Sequence, residues 1–185
     1  MREGVATDVM ATDVITLITN DHRKVEALFE RLKKEEGDPK AAVTELHALL
    51  IAHARAEEDR VYPDLDAHHG LEEHKEAEVL LDELVRSRPG TPEFRRTLDK
   101  LVESVNHHVE EEEGELLPQL AEQAGEKRLR ELGKAFEERR DEELRALTAG
   151  GATKAELYEQ AQKADIPGRS QMDKEELQEA VRKTT

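Results

Sequence analysis

The sequence predicts an all-α protein, an antiparallel up-down four-helix bundle with a fifth helix and a small helical module after it. Three observations carry this. Charged residues make up 39% of the 185 and aromatics only 3%, with no tryptophan and long runs of Glu, Ala, Leu, Lys and Arg, a composition that favours helices over strands. Apolar residues in the first two thirds recur at spacings of three and four, the repeat of a single helix face. Capping residues and breakers cut that periodic stretch into four segments joined by short connections, which makes sequential neighbours antiparallel.

The first helix runs from about Asp13 to Glu36 and stops at Gly37. Asp38 followed by Pro39 reads as an N-cap with proline at the first helical position, opening a second helix that reaches about Tyr62 before Pro63. The third spans about Leu71 to Ser87, and Pro89 with Gly90 makes the next turn. Thr91 and Pro92 repeat the cap-then-proline signal for a fourth helix running to about Leu117 and Pro118. A fifth amphipathic stretch, Glu126 to Leu147, carries Leu129, Leu132, Phe136 and Leu144 on one side and is expected to pack beside the bundle or to mediate association. Gly150 and Gly151 read as a linker. Beyond them, Thr153 with Glu156 and Asp173 with Glu176 are capping-box patterns, and Met172 with Leu177 fits a hydrophobic staple. The expected organisation is therefore a bundle over 1–122, an extra helix and linker over 123–151, and a small helical module over 152–185.

Charge and composition narrow the functions. A formal net charge of −16 disfavours nucleic acid and anionic membranes as general partners. The absence of cysteine removes disulfides, thiolate metal sites and cysteine nucleophiles, so any metal must be held by histidines and carboxylates. The N-terminal stretch lacks a basic segment followed by an apolar run, and no run approaches the roughly 18 apolar residues of a membrane helix. A cytoplasmic location is the default, with no membrane partner.

The buried stripes carry polar residues at core positions. On the fourth helix Phe94, Leu98, Leu101 and Val105 set the stripe, and the same spacing continues onto His108, Glu112 and Leu116. On the second, Leu46 and Leu50 lead to His53, Glu57 and Val61. The first helix places His22 among Ile18, Val25 and Phe29; the third places His74 with Ala77, Leu81 and Leu84. Burying an unpaired carboxylate costs several kcal/mol, so a fold that does it twice needs partners for it, and metal cations supply them. A buried His/Glu hydrogen-bond network would also satisfy these groups but gives no reason for their duplication.

Duplication is evident. DHRKVEALFERL around His22 parallels EHKEAEVLLDEL around His74, 52 residues on; HARAEEDRVYP from His53 parallels HVEEEEGELLP from His108, 55 residues on. Two helix hairpins thus bring one lone histidine and one H-x-x-x-E pair each, a pseudo-two-fold site suited to two metal ions bridged by two carboxylates. The run EEEEGE is otherwise read as a solvated face, with only Glu112 in register with the core. His47, His68, His69 and His107 fall off the stripes or in a loop and are expected at the surface, and Tyr62 has no assigned role.

The strings NDHRKVEALFE, HARAEEDRVYP, EEHKEAEVLLDEL and HHVEEEEGELLP resemble a hemerythrin HHE cation-binding domain over roughly residues 13 to 122. The resemblance implies two iron ions, oxo- or hydroxo-bridged, with His22 and His53 on one, His74 and His108 on the other, and Glu57 and Glu112 bridging. Oxygen-carrying members have a further histidine four residues after the position of His74; here it is Glu78, which either ligates as a carboxylate or leaves the position open to water. Imidazole and carboxylate ligation alone would suit iron, manganese or zinc. The implied function is binding or sensing of O2, H2O2 or NO, or a part in iron and oxidative-stress homeostasis; the alternatives are a catalase-like, peroxide-consuming enzyme and a metal-stabilised platform for the C-terminal module. That module, TKAELYEQAQKADIPGRSQMDKEELQEAV, resembles the small helical domain at the N-terminus of the transcription terminator Rho, which implies a protein or nucleic-acid partner. From Ala152 onward six basic residues face seven acidic ones, so no broad electrostatic footprint supports the latter.

Overall fold

The computed structural model describes residues 12–65, 67–151, 154–164, 166–169, 172, 176, 177, 180, 181 and 183. Four helices, α1 (Val14–Lys33), α2 (Pro39–Arg60), α3 (His68–Arg86) and α4 (Pro92–Glu111), pack each against the next, and α4 returns against α1. Two of them start on the expected caps, Asp38 and Thr91, and α1 starts on Asp13. Asp13 accepts from the Thr16 amide at 3.0 Å, Asp38 from the Lys40 amide at 2.9 Å, and the Thr91 hydroxyl from the Phe94 amide at 3.2 Å. These bonds satisfy amides that a helix start leaves without partners.

Several boundaries differ from the sequence reading. α1 ends at Lys33 because Glu35 takes a left-handed φ of 54° and the Glu36 amide closes back on the Arg31 carbonyl at 2.9 Å. α2 gives way after Arg60 to a single 3-10 turn, Tyr62–Asp64, and α3 begins at His68 with no side-chain cap. The largest correction concerns Pro118, which does not end the fourth helix. α4 runs into a π-helical segment, Glu112–Leu116, and then directly into α5 (Leu117–Gln123), with Pro118 in the first turn of α5. The Leu117 amide reaches five residues back to the Glu112 carbonyl. This wider turn moves the carbonyl that the proline ring would otherwise meet four residues back.

After α5, α6 (Glu126–Gly151) continues through Gly150 and Gly151, where a linker was expected. A glycine costs a helix only about 1 kcal/mol relative to alanine, too little to end one already running through Leu144, Ala146 and Leu147. The chain divides into two compact units between Asp141 and Glu142. The second contains α7 (Lys154–Lys163) and an apolar cluster of Leu157, Ala161, Ile166 and Leu177, with Met172 packed on it. Thr153 and Asp173, the caps of the two expected capping boxes, lie outside the described residues. No described helix is long and apolar enough to cross a membrane.

The first unit has two apolar clusters. One joins Val25 to Leu32 of α1 with Ala42 to Leu49 of α2, Leu81 and Leu84 of α3, and Phe94 to Val105 of α4. The other joins Val14 and Ile18 of α1, Ala56, Val61 and Tyr62, Leu117 and Leu120 of α5, and Leu132 and Phe136 of α6. In every helix the histidine of the stripe falls between them. The antiparallel course therefore brings the polar core residues of all four helices to one level, sealed by hydrocarbon above and below.

Candidate metal centre

His22, His53, His74, His108, Glu57 and Glu112 are all at least nine-tenths buried. They form two sets. His22, His53, Glu57 and Glu112 offer atoms within 4.8 Å of one another, and so do Glu57, His74 and His108. Glu57 belongs to both: its Oε1 lies 3.1 Å from His53 Nε2 and its Oε2 3.4 Å from His74 Nε2. Glu112 Oε2 stands 3.2 Å from His22 Nε2 and 3.8 Å from His108 Nε2.

These close approaches are not hydrogen bonds. Although they fall within ion-pair distance, Nε2 of His22 and His53, both Glu57 oxygens and Glu112 Oε2 have no partner in hydrogen-bond geometry. A buried polar atom left so costs about 1–3 kcal/mol. Nitrogens and oxygens that face a common point, not one another, at 3.1–3.8 Å match the edges of a shell of donors about 2.0–2.2 Å from a central ion. The residues present fit a metal.

The opposite ring nitrogens are held by carboxylates. His22 Nδ1 donates to Glu113 at 2.8 Å, His74 Nδ1 to Glu58 at 3.1 Å and His108 Nδ1 to Glu73 at 2.8 Å, while His53 Nδ1 faces Asp21 at 3.7 Å. Three of the four histidines are thus oriented by a hydrogen bond to the helical segment before them around the ring, and His53 is faced by a carboxylate from the same direction without one. Since a carboxylate only accepts, it fixes the proton on Nδ1 and turns the Nε2 lone pair inward. Sequence reasoning missed these four carboxylates, and assigned Glu113 to a solvated face. The signal was there: Asp21 and Glu73 immediately precede the lone histidines, and Glu58 and Glu113 immediately follow the core glutamates, in register across both halves.

Charge in the layer is strongly coupled. Burial works against a charged His53, but Glu57 and Asp21, with Glu112 behind them, raise it to about 10. His74 is likewise opposed by burial and raised to about 9 by Glu57 and Glu58. Burial pushes Glu57 upward, yet His53 and His74 hold it well below the usual carboxylate range. Asp21, also opposed by burial, is held low by His53, Lys24 and Arg140. Arg140 of α6 bonds it at 2.9 Å and lies over the Phe136 ring, which stands nearly perpendicular to the His53 ring with centroids 5.8 Å apart. The first part of α6 accordingly closes the His22/His53 half.

The other half differs. Tyr62 is buried, stacks on His74 with ring centroids 5.4 Å apart, and holds its hydroxyl 3.3 Å from His74 Nε2 and 3.4 Å from Glu112 Oε1. Burial and the charges of Glu57 and Glu112 keep that phenol protonated far above its usual range. Its counterpart in the repeat, 55 residues on, is the apolar Leu117. Gly70 makes room for the ring, since a Cβ there would stand 3.0 Å from the Tyr62 hydroxyl.

Glu78 is not brought into either set; it is 45% exposed and pairs with Arg55 at 3.4 Å. Both it and Arg55 line the cavity beside the four histidines. His69 and His107 are exposed as expected, His47 is half-buried, and the His68 side chain lies outside the described residues. A cavity of about 40 Å³ lies among the four histidines, lined by apolar residues such as Val25, Ile51 and Leu81 and by the charged Arg55, Glu58, Glu73 and Glu78.

Residues 13–120 match the family model described as the hemerythrin HHE cation binding domain. A DNA nickase from Nostoc sp. (strain PCC 7120 / SAG 25.82 / UTEX 2576) is 32% identical over 119 residues, covering 59% of this chain and 33% of the relative. The chain therefore spans about a third of that protein's length. No solved structure matches.

Proposed function

Since the chain belongs to the hemerythrin HHE cation-binding family, matching it over 13–120, we propose that it is a non-haem di-iron protein that binds or senses a small oxidant: oxygen, hydrogen peroxide or nitric oxide. Two iron ions, held by His22 and His53 on one side, His74 and His108 on the other, with Glu57 and Glu112 between, would supply open coordination positions and one-electron redox chemistry. Other roles fall to the chain itself. Glu57 faces both histidine pairs and sets their spacing. The Tyr62 phenol, kept protonated, offers a hydrogen bond on the His74 side alone, so the halves present unequal surroundings to a ligand.

The cavity carries the reading on size. A water needs about 10–15 Å³ of such space, so about 40 Å³ beside the four imidazoles has room for a diatomic molecule or a peroxide. Metal analysis of iron-loaded protein, with optical spectra taken reduced under argon and again after oxygen or nitric oxide, tests this. Two irons per chain and a spectral change on adding gas are expected. An unchanged spectrum would remove the ligand-binding role. The rival reading, consumption of peroxide, is judged by oxygen evolution from hydrogen peroxide, which binding alone does not produce.

Nickase activity, named for the relative, is not carried over. Two thirds of that protein lies outside the match, and a net charge of −16 offers no general attraction to phosphates. The unit after Asp141 is assigned partner recruitment. A gel-shift series over salt with the full chain is expected to give no shift, which would leave a protein partner or a purely structural role.

A further inference from the structure

A second cluster of metal-binding side chains lies outside the centre, on the outer face of α3 and α4. His69 and Glu73 stand four residues apart on α3, and His107 and Glu111 stand four apart on α4, so each pair shares one helix face. The two faces meet. His69 Nε2 is 3.7 Å from Glu73 Oε1 and 3.6 Å from Glu111 Oε2; His107 Nε2 is 3.7 Å from Glu73 Oε1 and 3.4 Å from Glu111 Oε1.

Two observations separate this group from an ordinary charged surface. The first is Glu73 itself, which is 9% exposed and whose Oε1 is buried with no hydrogen-bond partner. Its other oxygen is committed to His108 Nδ1 at 2.8 Å, so Oε1 is aimed between two imidazoles at distances too long for hydrogen bonds. Tetrahedral donors about 2.0–2.1 Å from a zinc-like ion are separated by roughly 3.4 Å, close to all four separations here. The second observation is the broken symmetry of the repeat. Asp21 stands 52 residues before Glu73 in the same role, and it is neutralised by Lys24 at 2.7 Å and Arg140 at 2.9 Å. Among the described residues, Glu73 pairs with no lysine or arginine. The cation that the chain supplies in one half is missing from its counterpart.

We propose that His69, Glu73, His107 and Glu111 form a third metal site, for a single divalent d-block cation of the zinc class. Two imidazoles and two carboxylates suit such an ion, and raw affinity places zinc above ferrous iron at a site of this kind. The site lies at the rim of a surface depression that is also lined by His108 and Glu112. It does not depend on the identity of the core metals.

The test counts two metals separately. Iron-loaded full-length protein is equilibrated with Zn2+, freed of excess and analysed for both elements, beside the H69A/H107A double variant. Expected are two irons in each protein, with one zinc bound by the unmodified chain and none by the variant. Zinc uptake that is unchanged in the variant overturns the site. So does uptake balanced by loss of iron, which would place zinc in the core. X-ray absorption at the zinc edge supplies a second readout, with two imidazoles in the shell expected and a shell of oxygens alone contradicting the assignment. Fewer than two irons after loading would instead count against the di-iron reading, leaving the zinc count to judge this site by itself.

Discussion

His107 and His108 are neighbours in the chain and opposites in chemistry. His108 continues the apolar stripe of α4 and is 8% exposed, whereas the His107 side chain is 62% exposed and faces Glu73 and Glu111. Replacing His108 with alanine should therefore lower iron stoichiometry, and replacing His107 should leave it at two per chain; equal losses by metal analysis would sink the assignment. Helical phase made that distinction readable in the sequence. Tyr62 was not readable, because it follows the end of α2 in a 3-10 turn, where a helical repeat no longer predicts direction. Its hydroxyl stands where the other half of the repeat has the apolar Leu117. Tyr62→Phe should keep both irons and the fold but shorten the lifetime of a bound nitric oxide or oxygen adduct, measured as a faster dissociation rate by stopped-flow absorbance. An unchanged rate would remove Tyr62 from ligand contact.

At the scale of elements, the apolar stripes and the Asp38 and Thr91 caps legible in the sequence bring the six buried histidines and glutamates of the core together, while the joints between elements were not legible. Pro118 reads as a stop by every local rule, and only the π turn before it lets the helix pass. The expected extent of α6 erred in the same way, since two glycines weigh little against a helix already under way. What no local pattern foretold is that α6 reaches the centre. Arg140 lies 119 residues from its partner Asp21, a pairing that periodicity on either helix leaves open. Another such contact is the seat of α6 on the start of α1, where a Cβ at Gly133 would stand 2.2 Å from the Thr12 carbonyl oxygen and 3.0 Å from the Val14 amide. Backbone has no rotamer to yield. Gly133→Ala should cost roughly 1–3 kcal/mol, as overpacking does, or about 2–4 °C in Tm per kcal/mol at this length. Gly114→Ala, where a Cβ meets nothing within 4 Å, is the control, and equal Tm values for the two variants would refute the close seat of α6.

Across the whole molecule, the centre makes stability depend on pH in opposite ways with and without metal. In metal-free protein His53 titrates near 10 and His74 near 9, each held protonated against burial by the core carboxylates. An imidazole in an unfolded chain titrates near 6.5. The stabilisation these two provide is therefore complete below about pH 6.5 and is lost as pH rises through 9 and then 10. Glu57 works in the other direction: its folded value is depressed, so its contribution is present above the ordinary carboxylate range and disappears as pH falls through its folded value. Metal-free protein should accordingly be most stable near pH 5–6.5 and weaken steadily toward pH 10. Bound metal requires the same imidazoles to be neutral, so protons compete with it and binding strengthens as they leave. The difference in Tm between loaded and chelator-treated protein should widen from pH 6 to pH 10. Net negative charge also grows toward pH 10 as surface histidines and lysines lose protons in a chain already at −16, but this acts on both forms and largely cancels in that difference. Differential scanning fluorimetry at half-unit intervals is sufficient to see it. A difference that stays constant or narrows over that range would mean that His53 and His74 do not exchange a proton for a metal.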